Sequence, residues 1–257
     1  MAHIRLRGTT MLQKTKLGEY VKPLTNVYLL SSLIETLENR DIGLPGIGVF
    51  HGEPGVGKTH AAMFASAHQD ILHIQLTNNY TSKFLFEKIL NELGAREKGS
   101  TAYLEMRAQE SLAQTGRTLV IDEADHALKP RMIDSIRFLH DRSDVPLILI
   151  GPNDFPAKLA KYTAIASRVM QRVTAHPASL EDAQSLTGYY GRGIKIAPDL
   201  LEHIVSVRRG KVREICTCIA HVRTMARTWN MQTITLKDWG KEPFPAGNEF
   251  LAVGGAL

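Results

Sequence analysis

The sequence predicts an α/β chain, a parallel sheet flanked by helices, followed by a small all-helical domain toward the C-terminus. Three observations carry that expectation. Short apolar runs of strand length alternate with stretches of helical period through about residue 151. Gly52-Glu-Pro-Gly-Val-Gly-Lys-Thr59 fits G-x-x-x-x-G-K-[ST] and lies between one such run and a helix. From Ser179 the strand-like runs stop and helical spacing takes over. The resulting division is a basic arm over 1–24, an α/β core over 25–177, a helical domain over 178–240 and a tail over 241–257.

Taken in order, the arm carries Arg5, Arg7, Lys14, Lys16 and Lys22 against Glu19 and has no periodicity. From Thr25, the spacing of Val27, Leu30, Leu33, Ile34 and Leu37 is helical, with Thr25 or Asn26 as N-cap and Gly43 as terminator. Residues 47–51 form the first strand, the phosphate-loop motif follows, and Lys58 opens a helix. Residues 71–76 are the second strand. The polar run 77–82 then caps a helix that stops before Gly94. A further helix over 100–115 leads to the third strand, Thr118-Leu-Val-Ile-Asp-Glu-Ala-Asp125, in which an apolar run feeds carboxylates. Pro130 opens the next helix, and Pro146-Leu-Ile-Leu-Ile150 is the fourth strand, ending in Gly151-Pro-Asn-Asp154. Beyond Ser179, three short helices are divided by Gly191-Arg-Gly193 and Gly210, and Cys218 falls on the apolar face of the last.

The loop motif has a physical reading. Gly52, Gly55 and Gly57 let the backbone curl so that N–H groups converge on a phosphate, aided by the partial positive charge of the following helix N-terminus. Residues Gly52, Glu53, Pro54, Gly55, Val56, Gly57, Lys58, Thr59 and His60 are therefore the expected nucleotide contacts, with ATP as ligand. Lys58 reaches the β- and γ-phosphates, and Thr59 together with Asp122 holds Mg²⁺. Glu123 polarises the attacking water. Asn153 sits at a strand end from which its amide can face the γ-phosphate or that water, the alternative being an ordinary turn asparagine.

Composition sets the outer limits. The chain has 257 residues, 44% of them apolar, enough for a large core with a small satellite domain. No apolar run is long enough to span a membrane and residues 1–7 lack an apolar signal core, so a cytoplasmic location is expected. Cys216 and Cys218 are the only cysteines and are read as reduced thiols, and the ten histidines form no metal-ligand spacing. The net charge is +5, and residues 203–241 hold eight basic side chains against two acidic ones, which suits a polyanionic partner.

An α/β core with these two motifs and a strand-end asparagine, followed by a small helical lid, resembles the AAA+ ATPases over residues 25–240. Ala166-Ser-Arg-Val169 resembles that family's arginine-finger box, and Gly210-Lys-Val-Arg-Glu-Ile215 its sensor 2 helix. The resemblance implies Arg168 as the finger, acting on a neighbouring subunit's nucleotide, with Arg172 as its rival, and Arg213 as sensor 2. Length and the Asp-Glu-Ala-Asp-His126 run most resemble the DNA transposition group of the Mu B, IstB and TnsC–TniB type. That likeness implies ATP-dependent assembly into a ring or helical filament on double-stranded DNA with little sequence specificity, recruitment of a transposase, and no membrane partner. It further implies DNA contacts near the second strand and the helices after it, where Thr81, Ser82, Lys83, Arg107 and Arg117 stand.

Other readings compete. A helicase loader of DNA replication resembles the chain in length and lid. A nucleotide-dependent scaffold that does not hydrolyse ATP would not need Lys58, Thr59, Asp122 and Glu123 all intact. Small-molecule kinases do not carry the paired finger and sensor arginines. The Asp122-Glu-Ala-Asp125 box also occurs in a helicase superfamily, but some 80 residues after the first core leave no room for a second.

Overall fold

The computed structural model describes residues 23–245; the basic arm over 1–22 and the tail from 246 lie outside the described residues. The chain divides into a core unit, Asn26–His176, and a helical unit made of Thr25 and the residues from Pro177 onward.

In the core unit, β1 (Ile47–His51), β2 (Ile71–Gln75), β3 (Thr118–Asp122), β4 (Leu147–Gly151) and β5 (Val169–Thr174) form one sheet in the order β2-β3-β4-β1-β5. All pairings are parallel. Strands β3 and β4 are buried throughout and β1 nearly so, which explains their unbroken apolar runs, because helices cover both faces. From β1 the chain crosses to the far edge at β2, whereas from β4 it passes over β1 to β5. The connections leaving the adjacent strands β1 and β4 thus part in opposite directions, opening a crevice at their carboxyl ends.

The helices are set by local chemistry. In α1 (Thr25–Glu38) the face of Val27, Leu30, Leu33, Ile34 and Leu37 is buried. It rests on β1 at Gly48, where a Cβ would stand 2.8 Å from Leu37 and 3.0 Å from Leu33. The phosphate loop opens α2 (Lys58–His68). Thr81 caps α3 (Ser82–Glu92) through the Phe84 N–H, and Ser100 caps α4 (Thr101–Thr115) through that of Tyr103. Gly116, at φ 63°, ends α4 just before β3. A 3₁₀ turn (Ala124–Ala127) separates β3 from α5 (Pro130–Ser143), and the short α6 (Phe155–Leu159) and α7 (Thr163–Ala166) follow β4.

Two features depart from the sequence expectation. Strand β5 was not foreseen: it lies on the sheet edge with most of its residues exposed, so Val169-Met-Gln-Arg-Val-Thr174 carries no apolar run to announce it. Among the described residues the helical unit holds four helices, α8 (Leu180–Tyr190), α9 (Pro198–Val207), α10 (Val212–Thr228) and α11 (Leu236–Trp239), with a two-residue parallel pair, β6 (Lys195–Ile196) and β7 (Thr233–Ile234). Runs of two residues are too short to read from periodicity.

A capping box starts α8: the Ser179 hydroxyl accepts from the Asp182 N–H and Asp182 accepts from the Ser179 N–H. The same carboxylate accepts from Thr25 N–H at 2.8 Å and its hydroxyl at 3.1 Å. Cys218 is buried in this unit on α10, and Cys216 is partly buried; both are free thiols.

Gly210 sits at φ +68°, and a Cβ there would run into Pro177 and stand 2.8 Å from the Ala178 nitrogen, whose N–H donates to the Gly210 carbonyl. Gly210→Ala combines left-handed strain with a backbone clash and should lower stability by about 2 kcal/mol or more, read as a fall in the urea midpoint of the helical unit.

Candidate nucleotide site

Strand β1 delivers the chain to the crevice mouth at His51, and the loop turns at once. A Cβ on Gly52 would lie 2.9 Å from the Ala175 carbonyl oxygen, so only glycine fits between the loop and the residue after β5. Gly55 and Gly57 both have positive φ, 86° and 99°, the backbone conformation that aims successive N–H groups inward. No side chain caps the first turn of α2, which leaves its N–H groups available to an anion. Lys58 closes the loop by donating to the carbonyls of Gly52 at 2.7 Å and Glu53 at 2.9 Å.

Strand β3 brings the carboxylates to the same place. Burial lowers the pKa of the Lys58 ammonium, while Glu123, Asp122, Glu53 and Asp125, all close by, counter that shift. Asp122 is buried at 2% exposure, and its Oδ1 accepts from the Glu123 N–H at 2.9 Å. Burial by itself would raise its pKa, but His73, the Thr59 hydroxyl and the Glu123 N–H outweigh it and hold the carboxyl ionised. Glu123 is shifted the other way, upward, by burial first and then by the charges of Asp122 and Asp125. Its φ of 54° is a left-handed conformation rare outside glycine, maintained at the turn that opens the 3₁₀ segment. Two neighbouring carboxyls are thereby driven apart, one into a fixed anion and one into a group suited to accept a proton.

The metal expectation can be weighed on donor chemistry. Asp122 Oδ2 is buried without a hydrogen-bond partner, with His73 Nε2 3.8 Å away, and Thr59 lies against the same carboxyl. One carboxylate and one hydroxyl beside a phosphate loop fit Mg²⁺, which takes few protein ligands and completes its shell with phosphate and water.

The other expected residues are placed as follows. Asn153 is exposed in the turn after β4, its backbone facing the His51 ring. His60 is half-buried in the first turn of α2, where burial lowers its pKa. Arg168, just before β5, is tied within its own chain to the Asp141 carboxylate of α5 and to the Ala164 carbonyl. Arg172 lies exposed on β5, and its charge reaches His51. Arg213 is exposed in the first turn of α10, in the helical unit.

The five residues expected near DNA are not together. Thr81, Ser82 and Lys83 line a groove of about 890 Å³ with Tyr80, Lys129, Arg131 and Phe138. Arg107 is occupied by Glu97 and Glu110 on the surface of α4. Arg117 pairs with Asp70 at 2.8 Å and donates to the Ile71 carbonyl, at the amino end of the sheet, opposite the crevice.

Sequence reasoning missed two site residues. His73 faces the Asp122 carboxylate from β2, with nothing in its strand to mark it. Asn26 falls on the buried face of α1, at four, seven and eleven residues before Leu30, Leu33 and Leu37, where its amide donates to the Val56 carbonyl of the phosphate loop. A lone amide on an apolar stripe was a legible signal, read only as an N-cap.

Comparison with known proteins agrees with this geometry. A family model described as an AAA domain matches residues 41–159. Cdc6p of Pyrobaculum aerophilum superposes with a TM-score of 0.62 at 17% identity, covering 86% of this chain and 67% of that one. The Aeropyrum pernix ORC1 protein, solved in complex with DNA, superposes at 0.59 with 14% identity, covering 83% and 62%. At such identities these structures bear on the fold alone. The chain thus has the α/β phosphate-loop fold of the AAA+ class, with an AAA domain matched over residues 41–159. Within that class it is similar in sequence to the ATP-dependent target DNA activator B of Escherichia phage Mu, 26% identical over 153 residues, 54% of this chain. The chain spans about half the length of that curated relative, 47%.

The expected division of labour gives Lys58 a ground-state contact with phosphate and Glu123 a role on water alone. Lys58→Ala should therefore weaken nucleotide affinity, and Glu123→Gln should leave affinity nearly unchanged while lowering turnover by about 10²–10⁴. Fluorescent-nucleotide titration beside a phosphate-release assay separates the two.

Proposed function

We propose that this chain is an ATPase that assembles on duplex DNA in its ATP form and regulates transposition by marking target DNA for a transposase. The observation that carries this reading is the 26% identity to the phage Mu target DNA activator across a segment that includes half of this chain, joined to an intact phosphate loop facing Asp122 and Glu123.

In this reading ATP is the substrate. The loop N–H groups and Lys58 hold its phosphates, and Glu123 draws a proton from the water that attacks the γ-phosphorus as the bond to the β–γ bridging oxygen breaks. A Mg²⁺ ion held by Thr59 and Asp122 would neutralise charge on the β- and γ-phosphates. Asn153 orients the water, and Arg213 serves as sensor 2. Arg168 supplies charge to a neighbouring subunit's γ-phosphate, giving up Asp141 to do so. For DNA, this reading assigns the groove of Thr81, Ser82 and Lys83, where Lys129 and Arg131 supply cations for phosphate oxygens, which carry no sequence information, beside Glu105 and Asp134.

Two measurements test the proposal. Electron microscopy should show rings or filaments only with both ATP and duplex DNA. DNA affinity should fall steeply with salt and change little between unrelated duplexes, because binding by phosphate neutralisation releases counterions. Tight binding to one sequence that survives high salt, or assembly on a replicative helicase without DNA, would instead support a replication role.

The finger assignment has its own test. An Arg168→Ala variant mixed with a Lys58→Ala variant should recover part of the ATPase activity that each lacks alone, since some interfaces then pair an intact loop with an intact finger. An arginine supplied this way is worth about 10³–10⁵ in rate. Recovery with Arg172→Ala in place of Arg168→Ala would transfer the role to Arg172.

A further inference from the structure

The core unit begins at Asn26 and ends at His176, and the chain passes to the helical unit through the peptide bonds 25–26 and 176–177. Asn26 is 4% exposed. Its Nδ2 donates to the Val56 carbonyl at 2.9 Å and to the His176 carbonyl at 2.8 Å, while its Oδ1 accepts from the His176 N–H at 2.9 Å. The orientation of the amide is dictated by its surroundings: flipped, it would set two N–H groups together and an oxygen against two carbonyls. Both donors and the acceptor are thus in use, inside a helix face that is otherwise apolar. No shorter or purely apolar side chain can make all three bonds.

Val56 is the apex of the phosphate loop, between two glycines of positive φ, and its own side chain is buried. The buried Val56 side chain holds the apex from one side, and the Asn26 amide adds a hydrogen-bonded anchor on its carbonyl. We propose that Asn26 is a positioning residue that locks the phosphate loop to both ends of the core unit, so that nucleotide on the loop orders the two segments through which the chain leaves that unit. The inference rests on the nucleotide-binding part of the reading above and adds to it a route from the loop to the chain crossings, through one side chain that lies outside the loop motif. The route is short: one amide spans Val56 and His176, and residue 26 is itself the first crossing.

Hydrogen exchange measured by mass spectrometry on the full chain, with and without ADP, tests it. In the unsubstituted protein ADP should slow exchange over residues 174–178, the His176 N–H among them. In Asn26→Ala, ADP should still bind, about tenfold more weakly for the loss of a buried hydrogen-bonded group, but exchange over 174–178 should be the same with and without it. Leu37→Ala, which opens a cavity on the same helix without touching the loop, controls for lost stability and should keep the ADP response. If Asn26→Ala does not fold, Asn26→Ser, which retains a small polar group but cannot span the carbonyls, should show the same loss of response. An ADP response that persists in the folded Asn26 variant overturns the proposal, as does its equal disappearance in Leu37→Ala. Failure of the unsubstituted chain to bind ADP is seen before any variant is made, and overturns the nucleotide reading along with the clamp.

Discussion

The Val56 carbonyl accepts the buried amide of Asn26, and the neighbouring backbone turns through Gly55 and Gly57 at positive φ. The rest of the site depends on this restraint. A phosphate loop works by presenting backbone N–H groups, so its side chains cannot be the main means of holding it in shape. Lys58 closes it from within, and contacts from outside complete its shape: Gly52 packed on Ala175, the Ala175 N–H on the His51 carbonyl, and Asn26 over the apex. Each is a short-range contact of low tolerance, which is why glycine is required at Gly52 by space and at Gly55 and Gly57 by conformation.

Electrostatics then sorts the groups that converge on the loop. Lys58, Asp122, Glu123 and Asp125 share a partly buried region in which no charge is fully solvated. Asp122 meets enough donors to stay ionised. Glu123, one residue on, has fewer donors and two like-charged neighbours, and its proton affinity rises. The sheet makes this possible, since parallel strands put the loops after β1, β3 and β4 at one edge and the strand order sets these three strands side by side.

The arginines show how far a residue's type falls short of its role. Arg107 and Arg117 are bound by acidic partners or backbone carbonyls and stabilise their own surroundings. Arg168 is also engaged, with Asp141, in a pair that is only partly buried. Surface arginines differ in what already satisfies them, and that is a property of the folded chain.

By itself the sequence determined the fold class, four of the five core strands and the glycine-rich turn between β1 and α2. Those rest on local rules: glycines where the backbone must curl, apolar runs where a strand is buried on both faces, and carboxylates at a strand's end. It did not disclose β5, whose exposed edge position removes the apolar signal, nor the two-residue pair β6–β7. Tertiary structure alone decided that the Asn26 amide meets the Val56 and His176 carbonyls, that His73 faces Asp122, and that Arg117 pairs with Asp70. In each case the partner lies tens of residues away along the chain, and a hydrogen bond or ion pair between distant residues leaves no periodicity for the sequence to display.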